Sequence, residues 1–264
     1  MKEIRVTVGS DEYKYKCPER WGEVSGMQFE VLVSQLMTYG RLTLVGVRKI
    51  LGMGSESYQL MPIDWMILGE QLEWMKDMDG VEGWMIEEID LGDGRKVDPC
   101  AANFDDMTWE EFMFVDVSAG RKAWDVVAAC LYRPLKEGAG EEEDDRIGFT
   151  RYGVSARLGL FKELGPSVLS AVEVNFVLLR KRMTDKYKNV FRTARRKVKA
   201  AGSEKEEDAG TDWVGVYRRL LGEHVWEEER LLKLPVNTVL YRLDNLVKEG
   251  REREREMRRS RRRR

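Results

Sequence analysis

The chain has 264 residues, of which 42% are apolar and 35% charged, and it carries a net charge of −2. That is enough apolar material for one large core or two smaller ones. No apolar run approaches the roughly 20 residues needed to cross a bilayer as a helix, MKEIRVTVGS is charged and alternating rather than leader-like, and Cys17, Cys100 and Cys130 lack metal-type spacing and fit a reducing cytoplasm.

Taken in order, Ile4, Val6 and Val8 alternate with polar residues, GSDE interrupts, and Tyr13 and Tyr15 resume the alternation. This predicts a β-hairpin. WGEVSGMQFE follows: Ser25 is a good N-cap, Gln28 three residues on completes a capping box, and Val24 and Phe29 sit at staple positions. The helix should stop near Gly40.

Shifting the sequence by 83 places Gly9 on Gly92, Cys17 on Cys100, Trp21 on Phe104, Ser25 on Thr108, Gln28 on Glu111 and Phe29 on Phe112. The second copy again reads strand, Gly-Asp-Gly turn, strand, then capped helix. Two accounts fit: an internal duplication, or two ordinary hairpin-then-helix starts that align. Between the copies, Pro62 opens a helix, with Trp65, Leu68, Leu72 and Met75 at helical spacing and Met66, Trp74 and Met78 widening the apolar face. After the second copy, Trp124, Val127 and Leu131 form a stripe that Pro134 ends.

KEGAGEEEDDR reads as a solvated loop. From Gly165-Pro166 to Gly202, Leu169, Val172, Phe176, Leu179, Met183, Tyr187 and Val190 step by three or four, as one long amphipathic helix or two in series. Its second half, Arg180 to Lys199, holds ten Lys/Arg and one Asp. An acidic linker follows, then two short helices with Trp213, Val216 or Tyr217, and Leu220 on one stripe, and Val239, Leu243 and Leu246 or Val247 on the next. The end is charged, with ten Lys/Arg and four Asp/Glu in residues 248–264. It reads as a fraying helix end running into disorder.

The chemistry-bearing motifs are few. The single histidine, His224, has no nucleophile or metal partner in pattern. LGMGSES lacks the lysine of a phosphate loop and reads as a turn. Asp90, Asp93 and Asp98 lack calcium-loop spacing, and Glu141 to Asp145 reads as solvated loop. The expectation is a non-enzyme without cofactor or metal, although a Glu/Asp pair in an acid–base role stays open. Two features ask for a partner. The 13 Met and 8 Trp could serve core packing or an adaptable apolar groove. The basic stretch and the tail could bind phosphates or pair with the acidic remainder of the chain.

The segment EIRVTVGSDEYKYKCPERWGEVSGMQFEVL resembles the amino-terminal part of tail-assembly chaperone and baseplate-hub-assembly proteins of long-tailed phages and prophages. In those, a small β-rich unit precedes W-x-E-hydrophobic-[ST]-x-x-[QE]-[FY]. DWVGVYRRLLGEHVWEEERLLKLPVNTVLYRLDNL is similar to the helical carboxy-terminal part of phage tail chaperones. The likeness covers residues 3–38 and, more loosely, 211–247. It implies a non-enzymatic protein that binds a tape-measure or baseplate-hub component in the host cytoplasm.

The expected fold class is α+β, mainly α. Its segments are a hairpin-plus-helix unit (1–40), a Met/Trp-rich helical segment (41–83), a second hairpin-plus-helix unit (84–136), an acidic loop (137–147), a long basic-ended helical segment (148–202), an acidic linker (203–211), a helical domain (212–250) and a charged tail (251–264). Candidate protein-binding residues are Trp65, Leu68, Leu72, Met75, Trp213, Tyr217, Trp226 and Leu240, nominated on condition that the chain's own core does not bury them. A second hypothesis is a structural subunit of the virion or of a contractile injection particle. A third is nucleic-acid binding through Arg180, Lys181, Arg182, Arg195, Arg196 and Lys197. No membrane partner is expected.

Overall fold

The computed structural model describes residues 1–92, 94–136, 147–191, 213, 215 and 228–262. The acidic stretch 141–145, the linker 203–211, and Arg195, Arg196, Lys197, Tyr217, His224 and Trp226 lie outside the described residues. The fold is mainly helical, with two separate two-stranded antiparallel sheets. Packing divides it into two units, Met1–Pro99 with Glu163–Leu179, and Cys100–Lys162 with Arg180–Arg264.

In the first unit, β1 (Lys2–Val8) pairs with β2 (Asp11–Cys17) in the register Val6↔Tyr13 and Ile4↔Tyr15. Because side chains alternate across a strand, this puts Ile4, Val6, Tyr13, Tyr15 and Cys17 on one face, where Val6, Tyr15 and Cys17 are buried. Gly9 turns the hairpin at φ 64°, a conformation that suits glycine.

Helix α1 (Gly26–Tyr39) begins with the expected capping box. The Gln28 amide N–H donates to Ser25 Oγ at 3.3 Å, and the Ser25 N–H donates to Gln28 Oε1 at 2.9 Å. The Gln28 side-chain amide also donates to the Ile50 carbonyl at 2.7 Å, tying α1 to α2 (Leu44–Leu51). Gly40, at φ 66°, ends α1 where the sequence predicts.

The turn at LGMGSES follows Gly52, which ends α2 in the left-handed region. Helix α3 (Pro62–Glu70) starts at proline, and Asp64 Oδ2 accepts the Met61 N–H at 2.9 Å. The α-helix stops at Glu70, and Leu72 and Met75 belong instead to the irregular chain and 3₁₀ turn that follow.

The second hairpin, β3 (Ile89–Asp90) and β4 (Lys96–Val97), is shorter. Its pairing Ile89↔Val97 is displaced by one residue from Val6↔Tyr13 under the 83-residue shift. The loop is therefore one residue longer, and Gly92 and Gly94 both take positive φ.

In the second unit, α4 (Trp109–Gly120) starts 83 residues after α1. Thr108 caps it, with the Glu111 N–H donating to Thr108 Oγ1 at 3.2 Å. The aromatic pairs also match: Trp21–Phe29 and Phe104–Phe112 are both edge-to-face, with centroids 6.2 and 6.3 Å apart. The copies differ in one polar detail. Glu111 is buried in an ion pair with Arg133, each side chain 1% exposed and 3.2 Å apart. Arg133 comes from the segment after α5 (Trp124–Leu131), a helix whose last five residues are all buried.

α6 (Arg151–Lys162) packs on α5, and the Arg157 guanidinium donates to the Ala129 carbonyl at 3.0 Å. α7 (Pro166–Lys186) opens at the predicted proline and is interrupted at Tyr187, so the long amphipathic stretch is broken. α8 (Glu228–Leu232) precedes α9 (Val236–Arg262). The start of α9 is stitched to the start of α4: the Trp109 N–H donates to the Leu234 carbonyl and the Val236 N–H to the Met107 carbonyl.

The tail expectation is corrected here, since α9 runs unbroken through Arg262. Glu, Lys and Arg are strong helix formers, and the pairs Arg253–Glu249 and Arg258–Glu254 join residues one turn apart. On the same helix, Val239 and Leu243 face inward as predicted, and of the alternatives Leu246 and Val247 the first is exposed and the second partly buried. Val236 and Leu240 complete the buried stripe.

Candidate protein-binding surfaces

The residues nominated from the sequence for partner binding fall mostly in the core. Leu68, Leu72 and Met75 are buried in the first unit, and Trp213 and Leu240 in the second. Trp65 is partly exposed. The nomination therefore fails for those five, because apolar residues at this spacing turn inward, Leu68 and Leu240 from helices and Leu72 and Met75 from the irregular chain and 3₁₀ turn after α3. Trp213 packs edge-on against Trp109, Phe112 and Phe191, with centroids 5.0 to 5.6 Å apart. Its indole N–H donates to Asp116 Oδ2 at 2.7 Å.

The basic candidates divide similarly. Arg180 forks onto the buried Asp116, with Nη2 donating to Oδ2 at 3.3 Å. Its charge is thus neutralised inside the second unit rather than presented. Lys181 and Arg182 lie on the surface.

Apolar surface does occur on α3, on the side opposite the nominated stripe. Ile63, Met66 and Ile67 are 54%, 54% and 50% exposed. Their i, i+3, i+4 spacing places them on one face of the helix. Tyr58 and Met61, just before it, are also exposed. Leu68 anchors the other side, so α3 is apolar nearly all round while only part of it is covered. The sequence pattern marks Met66 of this side only as widening the apolar face, because both sides carry the same helical period.

A second feature grows from the opening motif. Trp21, in the turn after β2, donates its indole N–H to the Asp77 carbonyl at 3.2 Å and meets Trp74 edge-on at 5.3 Å. Gly80 lies so close to Trp21 that a Cβ there would fall 2.7 Å from the indole Cδ1. Gly26, at the start of α1, abuts the Met85 carbonyl, 3.0 Å from where a Cβ would stand. The buried Asn175 of α7 holds the facing irregular segment: its Oδ1 accepts the Met85 N–H at 2.6 Å and its Nδ2 donates to the Gly83 carbonyl at 3.0 Å. Between these walls lies a cleft of about 1070 Å³. On α1 beside it, burial raises the Glu30 carboxyl above its ordinary value, against a lowering hydrogen bond with Ser167.

No family model, curated protein or solved structure matches the chain. Among the described residues, no cluster of three His, Cys, Asp or Glu side chains could hold a metal ion, and no helix is long and apolar enough to cross a membrane. The three cysteines are buried and form no disulfide. Burial and the nearby Glu111 push the Cys130 thiol well up, away from the thiolate that reactive cysteines need.

Proposed function

We propose that the chain is a non-enzymatic assembly factor that holds an apolar helix of a phage or prophage tail component against α3. The observation that carries this reading is the exposed Ile63–Met66–Ile67 stripe. It is a narrow apolar ridge of the kind that seats an amphipathic helix, with methionine supplying adaptability. The resemblance of residues 3–38 to tail-assembly proteins supplies the class of partner, a tape-measure or baseplate-hub component.

The test is co-expression with such a component from the same genome, followed by size-exclusion chromatography. The proposal expects a soluble complex that Met66→Glu/Ile67→Glu abolishes while the thermal melt of the chain alone stays unchanged. A complex that survives the double substitution removes α3 from the reading. Mass spectrometry of purified particles separates an assembly factor, which is absent from them, from a structural subunit, which is retained.

A further inference from the structure

The cleft beside α1 has a composition unlike that of the α3 face. Its walls include three indoles, of which Trp74 is partly exposed while Trp21 and Trp84 are largely buried behind the lining. Six carboxylates line it, Glu19, Glu30, Asp77, Glu82, Glu87 and Glu88, against one guanidinium, that of Arg20. Arg20 is turned toward Glu23 at 3.1 Å. The walls are built rather than incidental, since Gly80 and Gly26 permit close approach and the buried Asn175 pins residues 83–85.

We infer that this cleft is a docking site for an arginine-bearing segment of a partner protein, with a guanidinium lying against the partly exposed Trp74 and others paired with the carboxylates at the rim. The charge balance selects a cationic occupant, because carboxylates still outnumber cations around the cleft after Glu88 is paired with Lys96 at 2.7 Å and Glu19 lies 3.9 Å from the N-terminal ammonium. Aromatic rings together with carboxylates favour arginine over lysine, since the planar guanidinium stacks on indole while its N–H fork binds a carboxylate. The partly buried Glu30 adds to the preference, because an incoming cation relieves the cost of keeping its charge there. The site is separate from the α3 face and stands whether or not that face binds a tail component.

The test is fluorescence anisotropy of a labelled helical peptide with arginine and leucine at helical spacing, added to the full chain at about 50 mM and about 500 mM NaCl. A matched peptide with glutamate for arginine is the control. The expected result is saturable binding of the arginine peptide alone. Binding should fall about tenfold or more in Glu30→Gln/Glu87→Gln and stay within about twofold in Met66→Gln/Ile67→Gln, with circular dichroism showing both variants folded. No binding at the lower salt overturns the proposal. So does binding that Glu30→Gln/Glu87→Gln leaves unchanged, which marks general attraction to an acidic chain. Binding that appears only after residues 251–264 are removed assigns the cleft to the chain's own arginines and overturns the partner.

Discussion

Asp116 and Trp213, 97 positions apart in sequence, are joined by a buried hydrogen bond of 2.7 Å from the indole N–H to the carboxylate. The same carboxylate receives the Arg180 guanidinium, so one acid gathers a ring and a charge from two distant parts of the chain. Asp116→Ala is expected to destabilise the protein by about 2–4 kcal/mol, toward the lower end because the partly exposed Arg180 can recover water. Trp213→Phe keeps most of the ring packing but loses the donor, for about 1–2 kcal/mol. Urea unfolding of both variants checks the order of the two effects.

The Glu111–Arg133 pair is more fully enclosed and should be less forgiving. Glu111→Ala leaves a guanidinium buried without its carboxylate, at a cost of about 3–5 kcal/mol. Replacing both partners, Glu111→Leu with Arg133→Met, should recover much of that loss, since neither charge then has to be desolvated. Thermal melts of the single and double variants decide it. A double variant as unstable as the single would show that the pair is needed for more than mutual neutralisation.

The two helix starts predict matched effects from unlike circuits. Ser25→Ala and Thr108→Ala should each cost about 1 kcal/mol. Gln28→Ala should weaken α1 further, because Gln28 bonds both the Ser25 N–H and the Ile50 carbonyl. Denaturant midpoints for the three variants test this. Equal stability of wild type and Ser25→Ala would remove the cap from the account of α1.

Glu30 predicts a pH dependence of definite sign. Its folded value is raised, so its favourable contribution is complete below the ordinary carboxyl value of about 4.5 and is lost as the pH climbs through the raised value. At neutral pH its ionised form is a burden on the fold. Glu30→Gln should therefore melt higher than wild type at pH 7, and the difference should vanish below about pH 4. A difference that persists at low pH would point to packing rather than charge.

Much of the architecture was legible because it is written locally. The hairpin alternation, the Ser25 and Thr108 caps, the Gly40 stop and the Pro62 and Pro166 starts each depend on a few adjacent residues. The binding surfaces were not legible in the same way. The helical period shows that α3 has an apolar side, but not which apolar side the rest of the unit covers. Trp21 looked like part of a helix-entry signal; its role as a cleft wall depends on Trp74, Gly80 and Asn175, which no local pattern connects to it. The Glu111–Arg133 pair was hidden because Glu111 satisfied a capping-box pattern, whereas its side chain answers to a cation 22 residues away.

The Asn175 tie also sets a schedule for synthesis. The wall formed by Gly83 and Met85 is complete only when an amide about 90 residues downstream arrives. At about 5–20 residues per second, a nascent chain waits roughly 5–20 seconds with that wall unsecured. Trp84 sits between Gly83 and Met85, so its place in the cleft is fixed only then. Early release at Pro99 would free a fragment lacking the helix that closes its own fold, because the first unit begins the chain but is complete only once Leu179 has been made.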